Sequence, residues 1–151
     1  MRPCRCRGFA LAEVLVAAAL LAVGLLGQLA LLGSGLRAER DAANSATAAT
    51  LAADFAERLR ANSSAAAAYA LDPDSEPSPA HCAVAAPFDA PARAACDLVE
   101  WQREVASSLP GATVEVVSTD VAGSSAMLYS ISIRWVMQGS YRGEYSLQLQ
   151  V

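Results

Sequence analysis

Residues 9–33 read FALAEVLVAAALLAVGLLGQLALLG, an apolar run in which Glu13 and Gln28 are the only strongly polar side chains. As a helix rising about 1.5 Å per residue, this run reaches roughly 37 Å, enough to cross a hydrocarbon core of about 30 Å with some tilt. The sequence therefore predicts a transmembrane helix. Glu13 needs a specific role there, because a carboxylate near the bilayer centre costs about 2.5 to 3.5 kcal/mol.

The charges on either side of the run indicate its orientation. Arg2, Arg5 and Arg7 precede the run with no acidic residue among them, whereas residues 37–41 mix arginines with acidic side chains. The positive-inside rule then places the amino terminus in the cytoplasm and the chain beyond about Gly35 across the membrane.

The same orientation divides the four cysteines. Cys4 and Cys6 would face the reducing cytosol, whereas Cys82 and Cys96 would lie outside, where disulfides persist. We therefore predict that only Cys82 and Cys96 are bonded, closing about 15 residues and contributing roughly 3 kcal/mol in the chain-entropy model. Ordinary signal cleavage is not expected, because no small-x-small site follows the run. Lipoprotein cleavage is not expected either, because Cys4 and Cys6 lie before the run and not after it.

Composition restricts the function further. Beyond residue 8 the chain carries 8 arginines, no lysine and 15 acidic residues, a balance of −7, which argues against non-specific nucleic-acid binding. The one histidine, His81, adjoins Cys82 in a proline-rich stretch, and no nucleophile has a plausible histidine partner. We therefore expect no enzymatic activity, no metal and no cofactor.

The residues around Gly8 form a recognisable pattern. Arg7 and Gly8 end a short basic leader, Phe9 follows, and Glu13 stands five residues beyond the glycine within an apolar helix. This pattern resembles the class III signal of type IV prepilins. In that family a membrane-embedded aspartyl protease, the prepilin peptidase, cleaves the chain after the glycine and methylates the new amino terminus. The resemblance implies cleavage between Gly8 and Phe9 and N-methylation of Phe9.

Later segments resemble the same family, and the amino-acid sequence of the run is most similar to the minor pilins of type IV pili. These segments are residues 51–62 (LAADFAERLRAN) and a tryptophan-containing helix from residue 96 to 111. The resemblance implies a structural subunit that primes or joins pilus assembly, with roles in adhesion or twitching motility. A minor pseudopilin of type II secretion, which shares the leader and first helix, and a single-span periplasmic binding domain are the alternatives.

The resemblance also implies a division of the chain and a set of partners. Residues 1–8 would be the leader, 9–35 a transmembrane and assembly helix, and 36–151 a periplasmic or extracellular portion with a pilin-like fold. The implied partners are other minor and major pilins, the prepilin peptidase, the inner-membrane assembly platform and the membrane. The subunit would be stored in the bacterial inner membrane, with a single span and a cytoplasmic amino terminus, before it enters a pilus or periplasmic filament.

Cleavage would give Glu13 its role in assembly. The new positive amine at Phe9 lies one helical turn from Glu13 and equally close to Glu13 of an adjacent subunit. An ion pair in a low-dielectric bundle offsets a desolvation penalty that a lone carboxylate could not. We therefore expect Glu13 to set the register between subunits.

The sequence predicts an α+β fold. No proline occurs from Phe9 to Leu71, so one helix of about 50 to 60 residues is expected. Its second half has an apolar stripe (Ala48, Leu51, Ala52, Phe55, Ala56, Leu59) and an opposite face expected to be solvated (Asp54, Glu57, Arg58, Arg60).

A loop is expected from Asp72 to Arg93, followed by a second helix that Asp97 caps and Pro110-Gly111 ends. Its carboxylates, Glu100 and Glu104 with Asp97, follow helical spacing and indicate a wet face rather than a catalytic pair. Strands are expected at Thr113–Thr119, Met127–Met137 and Glu144–Val151, with turns around Gly123 and from Gly139 to Gly143. An antiparallel meander packed on the amphipathic half of the long helix would bury both apolar faces.

Overall fold

A computed structural model of the chain describes residues 11–73, 89–121, 123, 126–137 and 142–151. In chain order it contains helix α1 (Leu11–Ala61), a 3₁₀ helix (Ser63–Tyr69), helix α2 (Ala90–Ser108) and strands β1 (Thr113–Asp120), β2 (Met127–Val136) and β3 (Arg142–Gln150). The predicted α+β fold is confirmed. The predicted long helix is also confirmed, because α1 spans 51 residues.

The chain divides into two compact units, residues 1–40 and Asp41–Val151. In the first unit, the described residues all belong to α1, and every one of them except Gly33 is exposed. The second unit, which we call the head, contains the rest of α1, the 3₁₀ helix, α2 and the sheet. Among the described residues, the buried core lies in the head.

The sheet is an antiparallel meander in the order β1-β2-β3, as predicted. Val116 stands opposite Ile131, and Ile131 stands opposite Leu147, so one apolar residue from each strand meets on the same face. Along β2, Tyr129, Ile131 and alternate residues beyond them are buried, whereas the residues between them are more exposed. This period of two is what a sheet with one covered face requires.

Side chains from α1, the 3₁₀ helix, α2 and the sheet form the core of the head. Phe55 of α1 stacks on Trp101 of α2 at 4.1 Å between ring centroids, and Tyr69 of the 3₁₀ helix meets Phe55 edge-on at 5.6 Å. The Trp101 indole N–H donates a hydrogen bond to the Leu51 carbonyl oxygen at 2.9 Å, which satisfies this buried donor. All six residues of the predicted apolar stripe on α1 are buried: Ala48, Leu51, Ala52, Phe55, Ala56 and Leu59.

Helix α2 begins earlier than the sequence predicted. Asp89 is its N-cap, and the Asp89 carboxylate accepts a hydrogen bond from the Ala92 backbone N–H at 2.9 Å. Pro91 fits in the first turn because its missing N–H would have no helical partner there. The prediction that Asp97 caps the helix was therefore wrong, and the predicted loop ends at Asp89 rather than at Arg93.

The position of Gly143 also differs from the prediction, because it lies within β3 and not in a turn. Gly143 pairs with Trp135 of β2, and a Cβ added to Gly143 would lie 2.2 Å from Trp135 Cε2. The indole ring of Trp135 therefore fills the space that a side chain at position 143 would need. Among the described residues, the buried Trp135 Nε1 has no hydrogen-bond partner, so the ring is held by packing.

We predict that Gly143→Ala lowers the free energy of unfolding by about 1 to 3 kcal/mol, the usual cost of overpacking a core. The indole ring causes this cost, so it should fall to near zero in a Trp135→Leu background. Denaturant unfolding followed by Trp101 fluorescence measures both backgrounds, because Trp101 remains when Trp135 is removed. An equal cost in the two backgrounds would show that the ring is not responsible.

Candidate functional site

The first unit presents a continuous apolar surface along α1. Large apolar side chains are exposed from Leu11, at 78%, through Leu31, at 73%, to Leu36, at 59%. Among the described residues, α1 is the one helix long and apolar enough to cross a membrane, judged by length and composition. Contiguous apolar surface on this scale marks a membrane or protein contact rather than a surface in water.

Glu13 lies in the first turn of α1 and is exposed on this apolar surface. Gly8 and Phe9 lie outside the described residues, so cleavage between them and methylation of Phe9 stay predictions. The assembly role of Glu13 likewise stays a prediction.

Four glycines of α1 lie within or just beyond the apolar surface. At Gly24, Gly27, Gly33 and Gly35, an added Cβ would meet nothing within 4 Å. Contacts within the described chain therefore do not require glycine at these positions. Small residues on an apolar helix leave room for the backbone of a neighbouring helix.

A hydrogen-bonded polar cluster that the sequence analysis missed joins α1, the 3₁₀ helix and α2. Asn62 Nδ2 donates to the Ala90 carbonyl oxygen at 2.7 Å and to Tyr69 Oη at 3.2 Å, and Tyr69 Oη donates to Asp97 Oδ2 at 2.5 Å. Burial, followed by the hydrogen bond to Asp97, raises the pKa of Tyr69 to about 12. Asp97 therefore accepts a hydrogen bond from a distant tyrosine instead of capping its own helix.

A second polar contact between the helices centres on Arg58. The Arg58 guanidinium lies 2.8 Å from Asp54, 3.2 Å from Glu100 and 3.7 Å from Glu104, measured between nitrogen and oxygen. Burial lowers the pKa of Arg58, but the hydrogen bonds and nearby carboxylates raise it more. Glu100 and Glu104 are exposed, as expected of a solvent-facing side of α2. Arg58 was predicted to be solvated, but it is half-buried. Asp54, Glu57 and Arg60 are exposed, as predicted.

The cysteine and histidine predictions are only partly covered by the structure. Cys96 lies half-buried on α2 and is disulfide-bonded. Cys82 and His81 lie outside the described residues, so the pairing of Cys82 with Cys96 stays a prediction. Within the described part of the chain, no group of three or more histidine, cysteine or acidic residues is placed to hold a metal ion.

Comparison with known families bears on the amino-terminal pattern. Residues 3–27 match the family model described as the prokaryotic N-terminal methylation motif, a range that contains Gly8, Phe9 and Glu13. The predicted class III prepilin signal is thereby confirmed. No curated protein and no solved structure gives a significant match to the chain.

The motif indicates a type IV pilin or a pseudopilin-like protein. Proteins of this class are processed by a prepilin peptidase and assemble with other pilins. The exposed apolar helix fits a membrane-anchored subunit, and the motif and the α+β fold together suggest a structural role.

We predict that Tyr69→Phe lowers the free energy of unfolding of the head by about 1.5 to 3 kcal/mol at neutral pH, the usual value of a hydrogen bond to a charged group. Both tryptophans lie in the core of the head, so tryptophan fluorescence during denaturant unfolding measures this change. Tyr145→Phe is the control, because it removes the same hydroxyl group from a half-buried tyrosine on β3, away from the Asn62–Tyr69–Asp97 cluster. Equal losses in the two variants would contradict a special role for Tyr69.

The raised pKa of Tyr69 also predicts a pH dependence. Tyr69 is neutral in both states below its ordinary value of 10.0, whereas at higher pH the unfolded tyrosine loses its proton first, because the folded group holds it until about 12. The free energy of unfolding should therefore decrease as the pH rises between these values. Tyr69→Phe should show a shallower decrease in the same unfolding measurements, and an unchanged slope would contradict the shift.

Proposed function

We propose that this chain is a minor type IV pilin that primes or joins pilus assembly. The methylation motif at residues 3–27, which overlaps the exposed apolar surface of α1, carries this proposal. The resemblance of the apolar run to the minor pilin PilV supports the choice of a minor pilin. Adhesion and twitching motility are the activities such a subunit would serve.

The proposed life of the subunit begins in the inner membrane. Residues 1–8 form a cytoplasmic leader, residues 9–35 span the membrane once, and residues 36–151 lie on the far side. The prepilin peptidase cuts between Gly8 and Phe9 and methylates the new amino terminus at Phe9. An oxidising compartment on the far side accounts for the predicted disulfide between Cys82 and Cys96.

Entry into the filament depends on Glu13 in this proposal. When the apolar helices of several subunits pack together, lipid no longer surrounds Glu13, and a buried carboxylate without a partner is strongly unfavourable. The methylated amine at Phe9 of a neighbouring subunit supplies the missing positive charge. Exposure of Glu13 on α1 leaves the carboxylate accessible to such a neighbour.

The glycines of α1 support helix-to-helix packing in the same bundle. Gly24 and Gly27 lie one turn apart, and the space beside each is open. Gly33 and Gly35 lie two residues apart near the end of the apolar surface, so they open different sides of α1. Close approach of a neighbouring helix at these positions would bury apolar surface that α1 exposes in the isolated chain.

A minor pseudopilin of a type II secretion system is the alternative that shares the motif. The stretch bounded by Cys82 and Cys96 favours the pilin, and isolation of surface filaments separates the two. A pilin copurifies with sheared surface pili, whereas a pseudopilin stays in the cell envelope. A single-span periplasmic binding protein would keep residues 1–8 attached to Phe9.

We predict that mass spectrometry of the mature chain finds Phe9 as a methylated first residue. Gly8→Leu should abolish cleavage, because a bulky side chain blocks the approach of the protease to the backbone. Gly24→Leu is the control, since the space beside Gly24 is open and processing should continue. Recovery of mature Phe9 from Gly8→Leu would overturn the assigned cleavage site.

We predict that Glu13→Ala leaves the subunit cleaved and in the membrane but lowers its amount in sheared pili at least about tenfold, which corresponds to about 1.4 kcal/mol. Gln28→Ala is the matched control, because Gln28 is the other strongly polar residue of the run. Immunoblots of membrane and pilus fractions measure both variants. A normal amount of Glu13→Ala in pili would exclude the assembly role.

A further inference from the structure

Two methionines of the head pack against its core at opposite ends of β2. Met127 begins the strand, and Met137 directly follows its last residue. Both are half-buried, so each side chain is partly covered by the core and partly exposed. The two residues differ in the group that lies beside the sulfur.

The Tyr129 hydroxyl donates a hydrogen bond to the Met127 sulfur, with 3.8 Å between Oη and Sδ. Tyr129 is fully buried, and this burial raises the pKa of its hydroxyl, which therefore keeps its proton and remains a donor. A thioether sulfur is a weak acceptor, so the bond that this donor makes within the described part of the chain is weak. Because a poorly satisfied buried donor is costly, a stronger acceptor at position 127 would be favourable.

Oxidation of the thioether supplies such an acceptor. A sulfoxide carries a polar oxygen on the sulfur, which usually disrupts an apolar core. Beside the Met127 sulfur, however, the buried Tyr129 hydroxyl is already in place as a donor. The flexible methionine side chain can turn the new oxygen toward that hydroxyl, at the ordinary O–H···O distance of about 2.7 Å. The weak contact of the thioether would then become an ordinary hydrogen bond.

We propose that Met127 is an oxidation site for peroxides and that the buried Tyr129 hydroxyl accommodates its sulfoxide. A sulfur lone pair attacks one oxygen of hydrogen peroxide, so that an S–O bond forms and the O–O bond breaks. Sulfur is oxidised and the peroxide is reduced, and the proton of the transferred hydroxyl passes to the departing hydroxide, which leaves as water. The head thereby consumes an oxidant and keeps its fold. This modification goes beyond the proposed pilin function, because it concerns the core of the head and not α1.

Met137 provides an internal comparison. It packs against the same core and is also half-buried. None of the hydrogen bonds that tyrosine hydroxyls make in the described part of the chain reaches its sulfur. Its sulfoxide would place a polar oxygen against the core without a donor, which is unfavourable. Oxidation should therefore destabilise the head at position 137 and not at position 127.

The experiment oxidises one methionine of the head at a time. Met137→Leu leaves only Met127 to react there, and Met127→Leu leaves only Met137, and both exchanges conserve side-chain volume. The full chain is treated with hydrogen peroxide in mild detergent, and peptide mass spectrometry measures the oxygen added at each position. Circular dichroism follows thermal unfolding before and after oxidation. Tyr129→Phe, combined with Met137→Leu, removes the donor and keeps the ring.

The expected results separate the hydrogen bond from a general effect of oxidation. Peroxide should add an oxygen to Met127 in the folded Met137→Leu chain without lowering its unfolding temperature. In the presence of Tyr129→Phe the same oxidation should lower the unfolding temperature by at least about 4 °C, the shift expected of one ordinary hydrogen bond in a domain of this size. Oxidised Met127→Leu, in which Met137 reacts, should show a similar fall.

A second pair of variants tests the acceptor without oxidation. Met127→Gln offers an amide oxygen to Tyr129 and should unfold at or above the temperature of Met127→Leu, whereas Met137→Gln should unfold below Met137→Leu. This comparison stands even where Tyr129→Phe fails to fold, and a lower unfolding temperature for Met127→Gln than for Met127→Leu would overturn the proposal. An unreacted Met127 in the folded chain, or equal falls with and without the Tyr129 hydroxyl, would overturn it as well.

Discussion

Phe55 is the residue on which the packing of the head depends. Its ring stacks on Trp101 and meets Tyr69 edge-on, so one side chain of α1 fixes both the 3₁₀ helix and α2. Trp101 in turn donates to the Leu51 carbonyl oxygen, one turn before Phe55 on the same helix. Because α2 is attached to α1 by stacking and by a hydrogen bond together, sliding of α2 along α1 would break both.

Helix α1 meets two different burial requirements within one continuous element. From residue 11 to 36 its apolar residues point in every direction, and within the described part of the chain they stay exposed. From Ala48 to Leu59 the apolar residues form one stripe, which the core of the head buries. The change from all-round to one-sided apolarity divides α1 into a part that needs surroundings outside the chain and a part that is satisfied within it.

The elements that could be predicted from the sequence were those marked by a pattern within a few neighbouring residues. The alternation of Tyr129 and Ile131 with polar residues identified β2, and the amino-terminal pattern around Gly8 identified the processing motif. The start of α2 was missed because proline at position 91 suggested a loop, although the first turn of a helix accepts it. The bond from Tyr69 to Asp97 joins residues 28 positions apart, and no local pattern encodes such a contact.

The hydrogen bond from Asn62 Nδ2 to the Ala90 carbonyl oxygen brings together two points 28 residues apart in the chain. With the cap at Asp89, it fixes the entry to α2 by contacts that do not involve the side chains of residues 74–88. Doubling the length of a loop between fixed ends costs only about 0.6 kcal/mol. A connection of different length between these two fixed ends would therefore leave the described core of the head in place.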